Sequence, residues 1–172
     1  MRLARFEAVL LPHLDAAHNL ARWLLGNSQD AEDAVQDSYV RALTYFDSFH
    51  GEDGRAWLLA IVRNTCYAWL RKHRSSPESA PSAREMELAP DLGQDPEVSH
   101  LQEVDRMNLQ QCLESLPAEF REALVLREME GMSYRQIARI TEVPIGTVMS
   151  RLARGRRRLR QMLAPTERKE TT

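Results

Sequence analysis

The chain has 172 residues, 43% hydrophobic and 28% charged, with a formal net charge of −2. That length suits one ordinary domain or two small ones, and that apolar share excludes a wholly disordered chain. With no signal-peptide-like N-terminus, no run of roughly 18 apolar residues and no cysteine pair at metal or disulfide-framework spacing, a reducing cytoplasm without membrane insertion is expected.

Helical periodicity begins at once. From Leu3 to Leu25 the apolar residues Phe6, Leu10, Leu14, Leu20 and Leu24 recur at helical spacing, with Pro12 placed to kink or divide the segment and Gly26-Asn27 to end it. A second helix is predicted from about Asp30 to Tyr45, with Ala31, Ala34, Val35, Tyr39 and Ala42 inward and three acids at its positive end. Its outer stripe carries Asp33, Gln36, Asp37 and Arg41 at intervals of 3 or 4; a solvated face or a docking surface would look alike. Phe46 to Gly54 reads as a turn-rich loop. A third helix, about Arg55 to Arg74, should bury Leu58, Ile61, Val62, Thr65 and Trp69. It interleaves cations with aromatics: Arg55, Trp57, Arg63, Asn64, Tyr67 and Arg71. Such a mixture can stack single-stranded bases and neutralise phosphates, with Trp57 and Asn64 the better surface candidates.

The texture changes at Ser75. Residues 76–100 carry 6 acids and 1 base, and four of the eight prolines lie at positions 77, 81, 90 and 96, which marks a flexible acidic linker. Helical pattern returns near Leu101, where Val104, Met107, Leu109, Cys112, Leu113 and Leu116 form an apolar face up to Pro117. Ala118 to Glu130 comes next, with Phe120, Leu124, Leu126 and Met129 inward and Gly131 at its end. Both cysteines fall among apolar residues and read as buried thiols.

The strongest local pattern is Met132 to Leu163. Ser133 with Gln136 three residues on is a capping box opening a short helix with Ile137, Ala138 and Ile140 inward. Glu142-Val143-Pro144 breaks it, and a longer helix runs from about Ile145 to Leu163. There Val148, Leu152, Leu159 and Leu163 share one face, while Thr147, Ser150, Arg151, Arg154 and Arg158 line the other. Residues 131–164 hold 8 arginines and a single acid, Glu142. A helix anchored on one side and Arg-rich on the other suits the major groove: its N-terminal residues reach base edges and the later arginines, Arg156, Arg157, Arg158 and Arg160, hold phosphates. A basic helix within a bundle is the plainer reading. The whole is an all-α chain of two small helical domains, 1–75 and 101–164, joined by the linker 76–100 and ending in a disordered tail, 165–172.

Three segments together resemble the extracytoplasmic-function (ECF) group of the sigma-70 family of bacterial RNA polymerase sigma factors. They are DAEDAVQDSYVRAL (30–43), GRAWLLAIVRNTCYAWLRKHR (54–74) and LPAEFREALVLREMEGMSYRQIARITEVPIGTVMSRLARGRRRLRQML (116–163). The first two look like region 2, the third like region 4. The resemblance implies that Asp33, Gln36, Asp37 and Arg41 dock the coiled coil of the polymerase β′ subunit. It implies that the loop holding Phe49, His50, Gly51 and Asp53 captures a flipped −10 base. Arg55, Trp57, Arg63, Asn64, Tyr67 and Arg71 would then meet and melt the −10 element. Pro144, Gly146, Thr147, Ser150, Arg151, Arg154 and Arg158 would read the −35 element while region 4 binds the β flap. An anti-sigma factor is the implied restraint, and neither a cofactor, a metal nor a small-molecule substrate is implied. Three positions depart from the family's pattern. Met149 stands where relatives carry Arg or Lys, Glu142 where the turn often has Gly, and Leu58 where housekeeping factors carry a second Trp. Competing classes are a stand-alone helix-turn-helix regulator and a helical adaptor that never touches DNA. No P-loop, dinucleotide turn or nucleophile elbow points to an enzyme.

Overall fold

The computed structural model describes residues 1–73 and 96–164, with side chains described for 1–73 and 105–164. The expected tail, and the linker up to residue 95, lie outside the described residues. Among those described, every regular element is helical.

Proline and glycine set the boundaries of the first module. Helix α1 (Arg2–Leu10) buries Phe6 and Leu10. Pro12 then sits in a 3-10 turn, Leu11–His13, dividing α1 from α2 (Leu14–Leu25), since proline brings no N–H to the helical ladder. Gly26 ends α2 in the left-handed region (φ 71°), its N–H bonding to the Arg22 carbonyl. Asn27 at once caps α3 (Ser28–Tyr45), accepting from the N–H groups of Gln29 and Asp30, so α3 starts two residues before the predicted Asp30. The 46–54 loop is less loose than its composition suggests. It holds a 3-10 turn, Phe46–Ser48, and buries Phe46 and Phe49 in an aromatic cluster with Phe6 and Trp57. Helix α4 (Gly54–His73) begins against α1: a Cβ at Gly54 would lie 2.5 Å from Val9 Cγ1 and 3.3 Å from the Val9 carbonyl oxygen.

In the second module α5 begins at Pro96, five residues before the expected start, and ends at Ser115. Helix α6 (Ala118–Leu124) runs into one π-helical turn, Val125–Met129, instead of continuing as α-helix to Glu130. The extra residue in that turn shifts the helical phase of the residues after it. Met129, placed inward by 3.6-residue periodicity, therefore points outward at 45% exposure, and Glu130 swings toward the first module. Helices α7 (Tyr134–Thr141) and α8 (Ile145–Leu163) complete the module. Val148 and Leu152 are buried as predicted, but Leu159 is half-buried and Leu163 exposed. Gly155 lets α8 press on α6, where a Cβ would meet Leu124 Cδ1 at 3.2 Å and Phe120 Cβ at 3.3 Å. Cys66 is fully buried, whereas Cys112 is only half-buried.

The two modules pack on one another, α4 against α7 and α2 against α6. That explains the blurred periodicity of α4. Its buried residues, Ala56, Leu58, Leu59, Val62, Thr65 and Cys66, occupy more than one face, because α2 and α3 cover one side and the second module covers another. Trp69, expected in the core, is half-buried and stacks on His73 with ring centroids 3.8 Å apart.

Candidate nucleic-acid interface

The helix-turn-helix is built by two caps and a strained corner. Ser133 accepts from the Gln136 N–H and the Gln136 side chain accepts from the Ser133 N–H, the reciprocal box read from sequence. Glu142 ends α7 at φ 56°, the sole non-glycine residue with positive φ among those described. A side chain there crowds its own backbone, at a cost of about 1–2 kcal/mol. Pro144 is the N-cap of α8, its carbonyl accepting from Thr147 and Val148, so the first turn of α8 projects from the corner.

On the outer side of α8, Gly146, Ser150, Arg154 and Arg158 are exposed, and Thr147 and Arg151 half-buried. Among the described residues Arg154, Arg157 and Arg160 enter no ion pair. Arg158 lies over the Phe120 ring at 5.1 Å, and Arg156 pairs with Glu128, so these two cations are partly occupied. Met149, a departure from the family's pattern, is 52% exposed on the same helix and adds an apolar surface there.

On α4 of the first module, part of the cationic face is covered by the second module. Arg63, 16% exposed, forms an ion pair with Glu122 of α6, whose side chain is fully buried. The Tyr67 hydroxyl donates to the same carboxylate at 3.2 Å, and the Arg63 guanidinium lies 4.5 Å from the Tyr67 ring. Arg55 pairs with Glu130 at 2.8 Å, and Asn19 donates to the other oxygen of that carboxylate. Burial pushes the Glu122 carboxyl above its ordinary range against the opposing pull of Arg63, Tyr67 and Arg151. Burial, helped by Glu122, also pushes the Tyr67 hydroxyl and the Cys66 thiol up to about 12. Asn64 and Arg71 stay exposed, while Trp57, expected at the surface, is half-buried against Phe49, with centroids 5.0 Å apart.

The 49–53 loop does form a cleft, of about 380 Å³, whose lining includes Phe49, His50, Gly51, Asp53 and Trp57. Phe49 is its floor, 6% exposed and stacked on Phe46. One Asp53 oxygen caps α4 through the Ala56 N–H, and the other accepts from the Gln136 side-chain amide at 2.9 Å. Burial alone would raise the Asp53 carboxyl, but these two donors, with Arg139 and His13, hold it below its usual range. Arg139 of α7 also lines the cleft.

On α3, Asp33, Gln36, Asp37 and Arg41 all lie on the exposed face, opposite buried Ala31, Ala34, Val35 and Ala42. Asp37 and Arg41 pair at 3.0 Å; an exposed pair one helical turn apart adds only about 0.3–0.5 kcal/mol, so it leaves the surface free to exchange partners. Val40, 64% exposed, continues this stripe and went unnoticed in the sequence. Also missed were Glu122, Glu130 and Arg139, although an acid inside the apolar run Ala123-Leu124-Val125-Leu126 was the available signal for Glu122. Among the described residues no group of His, Cys, Asp or Glu is placed to hold a metal, and no helix is long and apolar enough to cross a membrane.

The Sigma-70 region 2 family matches residues 10–76, and the Sigma-70, region 4 family matches residues 106–159. The chain is 37% identical over 145 residues to the ECF RNA polymerase sigma-E factor of Salmonella typhimurium, covering 80% of this chain and 76% of that one. It belongs to the ECF group of RNA polymerase sigma factors. With the ECF sigma factor SigE of Mycolicibacterium smegmatis it shares 34% identity over 162 residues, 92% of this chain but 62% of that relative's length. In structure this sigma factor is similar to RpoE of Bartonella quintana, solved in complex with the anti-sigma factor NepR, with TM-score 0.76, 33% identity and 94% and 98% of the two chains covered. It is also similar to CnrH, solved with the cytosolic domain of CnrY, with TM-score 0.64, 25% identity and 92% and 86% covered. Members of this group are transcription initiation factors, and the stand-alone regulator is not favoured. Regions 2 and 4 correspond to the two modules.

Proposed function

We propose that this sigma factor docks on core RNA polymerase through the outer face of α3 and directs promoter-specific initiation with its two modules. Region 2 contributes the 49–57 cleft and the cationic face of α4 for the −10 element. Region 4 contributes Pro144, Gly146, Thr147, Ser150, Arg151, Arg154 and Arg158 for the −35 element, and the β flap is its seat on polymerase. The observation carrying this reading is the outer face of α8, where exposed Arg154 and Ser150 project from a helix whose opposite side is fixed by Val148 and Leu152.

The work is conformational, not covalent. Polymerase supplies most of the affinity and holds two weak readers at a fixed distance, which raises the effective concentration of the second once the first is bound. Unstacking a −10 base costs a few kcal/mol, and the apolar floor of the cleft, Phe49 and Trp57, offsets that cost by stacking. The complex of RpoE with the anti-sigma factor NepR supports an anti-sigma restraint on this chain too.

Co-elution with core polymerase tests the docking face. Wild-type chain is expected to co-elute, and Asp37→Ala to weaken association several-fold. Wild-type retention by that variant would refute the α3 assignment.

A further inference from the structure

Two glycines of α8 answer to different causes. A Cβ at Gly155 would press on Leu124 and Phe120, so packing against α6 asks for glycine there. A Cβ at Gly146 would meet nothing within 4 Å, and Gly146 is not among the glycines of positive φ. Nothing within the described chain therefore requires glycine at 146, although glycine weakens a helix. A bare backbone in the first turn of α8 lets an outside surface come closer than any side chain would permit. Met149 lies one turn further along, 52% exposed, with Ala153, also exposed, a turn beyond it. One flexible apolar side chain thus stands between two small residues and beside exposed Ser150, Arg154 and Arg157. A partner helix would call for a row of apolar anchors at i, i+3 or i+4, and i+7. Exposed Ile145 precedes Met149, but the following turns carry Ala153, Arg156 and Arg157, so no such row forms and the surroundings are cationic.

We infer that Met149 reads the C5-methyl group of a thymine in the −35 element, with Gly146 admitting the groove wall against the start of α8. This rests on the assignment of α8 to the −35 element and adds the base that one position selects. Among base edges in the major groove, the thymine methyl is the apolar group, whereas guanine offers acceptors and cytosine a donor. A thioether has no proton to donate and is a weak acceptor, so Met149 gains nothing from the guanine O6 and N7 that an arginine would bond. Against a methyl group it gains by removing apolar surface from water, and its unbranched chain adapts to where that methyl lies. Arg157 and Arg160, holding phosphates, fix the register of α8 without adding any such preference.

The test uses full-length chain with core polymerase. Promoters selected from a randomised library by the wild-type holoenzyme supply the −35 block. Each thymine of that block, on either strand, is then replaced singly by deoxyuridine, which lacks only the methyl group. Competition binding of holoenzyme to these duplexes is measured for wild type, for Met149→Ala and for Met107→Ala, which removes an equally exposed methionine from α5. For wild type, one replacement is expected to weaken binding about fourfold, the worth of one buried methyl group, and Met107→Ala should show the same loss. Met149→Ala should bind the thymine duplex at least as weakly as wild type binds the deoxyuridine one, and be indifferent to that replacement. Met149→Arg, taken through the same selection, should turn the preference at that position from thymine toward guanine. A selected block without thymine, no single replacement that costs wild-type affinity, or an equal cost to Met149→Ala would overturn the inference. Weaker association of Met149→Ala with core polymerase, with the full deoxyuridine cost retained, would place Met149 at a protein contact and overturn it as well. In those cases a −35 block that loses definition with Arg154→Ala leaves the assignment of α8 standing. Selection of no promoter by the wild-type chain would instead remove that assignment and Met149's part with it.

Discussion

Regions 2 and 4 hold their arginines in opposite conditions. Along α8, Arg154, Arg157 and Arg160 face outward without an ion pair among the described residues, whereas along α4, Arg55 and Arg63 are turned into carboxylates of the other module. The residue type is the same, and the difference lies in the neighbour across the interface. A cation on a helix therefore points to a nucleic-acid reader only together with the groups that cover it, and here three arginines of α8 are open while two of those on α4 are covered.

Four substitutions sharpen or break that contrast. Leu152→Ala empties a fully enclosed site between α8 and the rest of region 4 and is expected to destabilise that module by about 2–5 kcal/mol, read from urea unfolding. A loss under about 1 kcal/mol would show that α8 is not anchored as described. Arg63→Ala leaves Glu122 buried without its cation, so module separation should become easier by about 3 kcal/mol while promoter opening on polymerase declines. Potassium permanganate footprinting and scattering measure the two effects, and a variant normal in both would break the contrast from the region 2 side. Arg154→Ala acts on the exposed face of α8. It should weaken −35 binding by about 1–3 kcal/mol if the contact is to a base, with module separation unaffected. A purely phosphate contact would instead reduce the salt dependence by about one counterion whatever the promoter sequence. Glu142→Gly has the smallest effect and the opposite sign. It relieves the left-handed corner between α7 and α8 and should raise the thermal midpoint, a gain of about 1 kcal/mol. A fall in the midpoint would mean that the Glu142 side chain makes a contact outweighing the strain.

Legibility in the sequence tracks the range of the interactions involved. The cap Ser133–Gln136, the break at Pro144 and the Val148–Leu152 face are set by neighbours within a few residues, so periodicity and turn chemistry reach them. Pro12 and Gly26 punctuate the chain as expected for the same reason. The π turn at Val125–Met129 escaped because a single extra residue changes the helical phase without changing composition, and Met129 was misplaced with it. The pairing of Arg63 with Glu122 joins residues 59 positions apart, beyond any local pattern. The same holds for Trp57, whose partner Phe49 sits in a segment that reads as loop but packs as core.

The most direct test of the account is start-site mapping with core polymerase on a randomised promoter library, with and without this chain. The account predicts new start sites that depend on the chain and share two sequence blocks at one spacing, the upstream block losing definition with Arg154→Ala. Start sites identical with and without the chain would contradict it.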